Sequence, residues 1–257
     1  MRRIAIKLQY DGTDYLGWQL QAEGRTVQGV LEEAVRRATG AAERVPVQGA
    51  ARTDAGVHAE GQVAHFDTAC ELPAAALVDA LNFWLPADVA VLAAYQAGEA
   101  FHARFSAVAK LYRYRLLCSR QRRPLTERYC FRVPLLLDLG AMRACASQLV
   151  GTHDFSSFTS AGGNTQATTH TVFLSEWREA GGELHFLVKA DGFSYKMVRA
   201  LVGTMLDAGR GRLSPEDFAA ALLRLQRRAA GPTAPARGLT LVQVFYPPAV
   251  DPFGQTQ

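Results

Sequence analysis

Thr169-His170-Thr171-Val172-Phe173-Leu174-Ser175-Glu176-Trp177-Arg178 and Glu183-Leu184-His185-Phe186-Leu187-Val188-Lys189-Ala190 are two strand-like runs that meet at Gly181-Gly182. A glycine pair between runs rich in β-branched and aromatic residues predicts a hairpin. Residues 139–150 read as an amphipathic helix before it, and residues 197–208 as a helix after it. Ser214-Pro215-Glu216-Asp217 then opens another helix, with an N-cap, a first-turn proline and two acids. A strand over 107–117 begins this half and one over 238–246 closes it, so its order is β-α-β-β-α-β.

The other half has the same order. Ile4, Ile6, Leu8 and Tyr10 fall on one face of a strand, and a glycine-rich loop follows over 11–24. Thr26 caps a helix whose apolar stripe runs Val27, Val30, Leu31, Ala34, Val35, Ala38, and Gly40 ends it. Strands over 44–49 and 62–68 flank a loop over 50–61. A helix over 73–84 and a strand over 89–96 complete the set. Two ferredoxin-like units are the natural reading of an α+β chain in this order. The expected division is 1–106, 107–247 and a tail at 248–257. The halves differ at one place: the middle connection is a tight turn in the second and about a dozen residues long in the first. Long loops in compact domains are often functional, so the site is sought there.

With 49% apolar and 20% charged residues the 257-residue chain has ordinary globular composition. Its 28 basic residues against 24 acidic give +4, which suits a polyanionic partner without proving one. Cysteines at 70, 118, 130 and 145 have no CxxC spacing, so reduced thiols in a cytoplasmic protein are expected. Lys7 and Gln9 break any signal-peptide core, and no run is long enough to span a bilayer.

The long loop carries Ala51-Arg52-Thr53-Asp54-Ala55-Gly56-Val57-His58. Small residues after Asp54 let another backbone approach, and Arg52 can pair with a carboxylate or a phosphate. The competing reading is an Asx-turn, for which Asp-Ala-Gly is common composition. Asp54, His58 and His65 make a poor metal set: no HExxH or similar spacing is present. His65 is expected to be a satisfied sheet histidine and His58 a hydrogen-bonding residue at the loop end.

Lys110-Leu111-Tyr112-Arg113-Tyr114-Arg115 puts Lys110, Tyr112 and Tyr114 on one strand face and Arg113 and Arg115 on the other. Aromatics beside cations can stack on unpaired bases while neutralising phosphates, although tyrosines on a strand also pack in cores. Six arginines between 113 and 128 against the single acid Glu127 favour polyanion binding. Arg199 falls within the helix that follows Asp191-Gly192-Phe193-Ser194-Tyr195-Lys196, where burial would demand a carboxylate partner. Phe193 and Met197 are expected in the core. Gly209-Arg210-Gly211-Arg212 reads as a helix C-cap. Trp84 and Trp177 suit a core or an interface equally.

Together these segments resemble the bacterial tRNA pseudouridine synthase A family. The blocks are Tyr10-Asp11-Gly12-Thr13, Gly17-Trp18-Gln19, Thr26-Val27-Gln28-Gly29, Arg52 through His58, and Phe101-His102-Ala103-Arg104-Phe105-Ser106-Ala107. They continue through Lys110 to Tyr114, Gly192-Phe193 with Met197-Val198-Arg199, and Ala234-Pro235 with Gly238-Leu239. The resemblance implies two ferredoxin-like halves sharing a continuous mixed, mainly antiparallel sheet, with helices on one face and a cationic cleft between the halves. It implies a homodimer that isomerises uridine to pseudouridine at tRNA positions 38, 39 and 40 without metal or organic cofactor. Asp54 matches the family's catalytic aspartate, Tyr112 the tyrosine that stacks on the target base, Arg199 the arginine that pairs with the aspartate, and Arg52 the loop arginine associated with the RNA.

Two departures stand out. Ala51 replaces a glycine usual before the loop arginine, and would strain a position that needs positive φ. His170 stands where an arginine is common, which puts an RNA contact there in doubt.

Overall fold

The computed structural model describes residues 1–162 and 167–254. The chain divides into two compact units, Met1–Ala109 with Leu241–Gln257, and Lys110–Thr240.

The first unit runs β1 (Arg2–Tyr10), α1 (Val27–Thr39), β2 (Gln48–Gly49), β3 (His58–Thr68), α2 (Ala74–Trp84) and β4 (Val89–Ala97). Its strands are ordered β4-β1-β3, with β2 on the far side of β3. Thr26 caps α1 by accepting from the Gly29 amide, and Gly40 closes it in the left-handed region. Helices α1 and α2 pack together, and Ile4, Ile6, Leu8, Leu31, Val35 and Phe66 are fully buried.

The second unit runs β5 (Ala109–Cys118), α3 (Pro124–Glu127), β6 (Phe131–Val133), α4 (Leu139–Ser147), β7 (Gly151–Asp154), β8 (Thr169–Ala180), β9 (Glu183–Ala190), α5 (Met197–Gly209) and α6 (Pro215–Leu223). The strands are ordered β5-β9-β8-β7 and are antiparallel, except that β6 joins β5 in parallel. A final strand β10 (Leu239–Phe245) follows; from Leu241 onward it belongs to the first unit, beside β3. The architecture is α+β with a mixed, mainly antiparallel sheet, as expected. The β8–β9 hairpin closes on Gly181 and Gly182, with φ of 59° and 79°, between paired Ala180 and Glu183. Ser214 and Asp217 form a full capping box on α6.

Two expectations need correction. The strand over 44–49 shrinks to Gln48–Gly49, because the Glu32 carboxylate captures the Val47 amide at 3.0 Å and also pairs with Arg44. Strand β3 begins at His58 rather than residue 62, which shortens the loop to 50–57. Helix α5 starts after Lys196, whose φ is 59°, as the reading over 197–208 expected. As expected, the glycine-arginine run ends α5, with the Gly211 amide bonded to the Ala208 carbonyl and the Arg212 amide to that of Asp207. The segment between β5 and α4 also forms α3 and β6, and β7 adds an edge strand that periodicity did not predict.

Candidate active site

In the first unit the chain leaves the sheet just before Arg52. Pairing of β2 with β3 sets Gln48 opposite His65 and Gly49 opposite Ala64, and the Ala50 amide bonds to the Val63 carbonyl at 2.8 Å. At the next position the Gln62 side chain replaces a backbone rung. Its Oε1 accepts from the Ala51 amide at 3.2 Å and its Nε2 donates to the Ala51 carbonyl at 2.7 Å. Two residues on, Thr53 Oγ1 and the Tyr10 hydroxyl are 2.7 Å apart and buried, and the Thr53 carbonyl accepts from the Trp18 amide at 3.0 Å. Burial pushes the Tyr10 phenol well above its ordinary pKa, so it is a neutral hydroxyl.

Burial alternates along the segment, with Ala51 and Thr53 pinned inside while Arg52 and Asp54 reach the surface. Arg52 is exposed and Asp54 half-buried. The Val57 amide then bonds to the Asp54 carbonyl at 3.1 Å, with Gly56 at φ 75°. Asp54 thus opens a turn closed by its backbone carbonyl, which leaves the role of its carboxylate open. Ala51 is not strained: among the described residues only Lys196 and Leu225 have positive φ without being glycine.

A second loop, between β1 and α1, presses on this one. A Cβ on Gly12 would lie 2.0 Å from the Val57 carbonyl oxygen, and one on Gly17 would lie 2.7 Å from that of Thr53. The pressing loop is anchored by Asp88, which takes the Tyr15 hydroxyl at 2.6 Å and both terminal nitrogens of Arg25. The Gly12 amide donates to His58 Nδ1 at 3.1 Å, giving His58 the loop-end role expected of it. His65 is a buried sheet histidine that accepts from the Ala103 amide. Desolvation, aided by His102 and Arg3, pushes its pKa down to about 4.

In the second unit Tyr112 is buried on β5, with the half-buried Phe193 ring edge-on at 4.9 Å. Phe193 was expected in the core; it flanks Tyr112 instead. Met197 is fully buried, as expected, and so is Tyr114, whose hydroxyl donates to the Pro235 carbonyl at 2.7 Å. Arg199 sits in the first turn of α5, half-buried. Its Nε donates to the Ala234 carbonyl at 2.8 Å while the Ala234 amide bonds back to the Arg199 carbonyl. That reciprocal pair fixes the direction of the guanidinium stem.

The basic tract divides. Arg115 makes a two-point pair with Glu183, at 2.7 and 2.8 Å, whereas Arg120, Arg122, Arg123 and Arg128 are exposed around α3. His170 is buried against Ser194, 2.9 Å from its Nε2, so it faces inward rather than toward a ligand. Trp177 is core; Trp84 is 44% exposed under the Arg37 guanidinium. Reading the sequence assigns no site role to Tyr10, Gln62, Phe193 or Ala234, since each acts through a neighbour distant along the chain.

A family model described as tRNA pseudouridine synthase matches residues 6–106 and 145–247. The chain is 46% identical over 241 residues to a tRNA pseudouridine synthase A of Halalkalibacterium halodurans, covering 93% of this chain and 90% of the relative. It is 41% identical over 244 residues to that of Bacillus pumilus (95% and 99%) and 42% identical over 244 to that of Bacillus subtilis (95% and 99%). Among solved structures, an archaeal box H/ACA sRNP Nop10-Cbf5 complex aligns at a TM-score of 0.37 and 10% identity, covering 89% of this chain and 60% of that one. That likeness is too loose to carry weight. The match to the family model and the near full-length identities do carry it: the chain is an isomerase that belongs to the bacterial tRNA pseudouridine synthase A family.

Proposed function

We propose that this chain converts uridine to pseudouridine in tRNA, at positions 38, 39 and 40 of the anticodon stem-loop, with Asp54 as its catalytic carboxylate. The observation that carries the reading is the loop geometry: an outward Asp54, two residues after an exposed Arg52, on a backbone pinned from its buried side. Isomerisation exchanges a sugar bond to nitrogen for one to carbon, and either nucleophilic attack or proton removal requires a carboxylate anion. The target base must leave the stack, at a cost of a few kcal/mol that stacking on Tyr112 offsets. Arg199 pairs with Asp54, and Arg52 contacts the RNA where the base is displaced. No cofactor is required, and the enzyme acts as a cytoplasmic homodimer. Among the described residues no helix is long and apolar enough to cross a membrane.

The test is Asp54→Asn. Folding and tRNA binding should persist while pseudouridine, detected by carbodiimide labelling of a mass-neutral product, falls below detection. Substantial product from the variant would sink the assignment. Mapping pseudouridine in tRNA from a strain lacking the protein tests the positions, and sedimentation tests the dimer. A catalytically silent RNA binder would bind purified tRNA without turnover.

A further inference from the structure

We propose that Tyr10 and Gln62 are positioning residues for the Asp54 carboxylate, holding segment 51–53 from its buried side. The proposal rests on the reading of Asp54 as the catalytic group.

The β2–β3 register, continued, sets Ala51 opposite Gln62. There the ladder is completed by a side chain rather than by backbone. A carboxamide offers one donor and one acceptor side by side, as a peptide does, so it bonds both polar groups of Ala51 while spacing the chain away from β3. A β-bulge contributes: Leu8 pairs with Gln62 but Tyr10 pairs with Ala59, which leaves an extra residue in β3. Bulges of this kind re-aim a side chain. Tyr10, at the end of β1, supplies the second anchor through Thr53.

Both anchors are sealed. Gln62 is 0% exposed and Tyr10 4%, so neither side chain meets an RNA arriving from solvent. Any effect they have on turnover must pass through the loop. A misplacement of about 1 Å at a reacting group lowers a rate on the order of 100-fold. Loss of an anchor should therefore appear in the chemical step and not in RNA affinity.

The test uses the full chain with a tRNA transcript and enzyme in excess. Single-turnover pseudouridine formation, RNA affinity and thermal midpoint are each measured. Gln62→Met keeps length and volume but removes both hydrogen bonds; Tyr10→Phe removes one hydroxyl. We expect the single-turnover rate to drop roughly 30- to 100-fold in the first and about 5- to 20-fold in the second. Affinity should stay within about twofold for two buried side chains that touch no ligand. Rates equal to wild type in both variants overturn the proposal, as does a loss of affinity that accounts for the whole effect. If Gln62→Met does not fold, Tyr10→Phe decides alone. Asp54→Asn run alongside separates the failures. Activity in that variant removes the catalytic reading itself, whereas an inactive Asp54→Asn beside wild-type-like Gln62→Met and Tyr10→Phe removes only the anchors.

Discussion

The middle connection of the second unit and that of the first occupy the same place in the order of elements and are built in opposite ways. At Gly181-Gly182 the β8–β9 ladder runs to its last rung, and a Cβ added to either glycine would have no neighbour within 4 Å. At 50–57 the β2–β3 ladder stops after Ala50, and the chain beyond it is gripped by Gln62, Tyr10 and the glycines of another loop. A turn that only reverses the chain needs two residues with the right φ. A loop that must hold a carboxylate at one place needs long-range partners, because its own residues cannot supply rigidity.

The sharpest way to break this contrast is to crowd both connections. Gly12→Ala puts a methyl group 2.0 Å from the Val57 carbonyl oxygen, and the clash is with backbone, which has no rotamer to escape into. We expect isomerisation to fall at least about 100-fold and stability to drop by about 1–3 kcal/mol from overpacking. Gly181→Ala meets open space and pays only for a left-handed φ, about 1 kcal/mol, with turnover within about twofold of wild type. Pseudouridine assays and urea unfolding on the pair decide the matter. Full activity in Gly12→Ala would mean that the loop is not held by close approach.

Acid should act at the root of the gripped loop. His65, paired opposite Gln48 on β3, has its pKa pushed down to about 4 when folded, against about 6.5 unfolded. Below pH 6.5 the unfolded chain therefore binds a proton that the folded chain refuses. The contribution of His65 is intact above that value and is lost as pH falls toward 4, up to about 3 kcal/mol. Burial lowers His102 and His170 in the same direction. His65→Asn, which cannot titrate, should flatten the fall in thermal midpoint between pH 7 and 4.5 without abolishing it. An unchanged slope would show that His65 is not the group involved.

These differences also explain what could be read from the chain alone. The hairpin was legible because its signal is local, two glycines between two alternating runs. Strand β3 was read four residues short because His58, Ala59 and Gly61 are buried along with most of the strand, so no alternation marks its start. The strand over 44–47 failed because Glu32, on a different element, bonds the Val47 amide; no window of sequence contains that competition. Asp54 was reached through resemblance, since its local chemistry describes a turn equally well. The anchoring roles of Tyr10 and Gln62 were invisible because their bonds to Thr53 and Ala51 span 43 and 11 residues.

The smallest effect tests whether the second connection is as indifferent as it looks. Gly181 and Gly182 both have positive φ, the signature of a primed two-residue turn, where asparagine followed by glycine is preferred. Gly181→Asn keeps that conformation and removes freedom from the unfolded chain, for a gain of about 0.4–1 kcal/mol. For a chain of this size the thermal midpoint should rise by about 1–4 °C, with turnover unchanged. Gly56 offers the same substitution at a similar φ of 75°, yet it lies two residues from Asp54 within the gripped loop. There asparagine suits the left-handed backbone but adds a side chain beside the candidate carboxylate. Gly56→Asn should therefore keep its stability and lose turnover. If both substitutions behave alike in the assay, the two connections differ in length but not in kind.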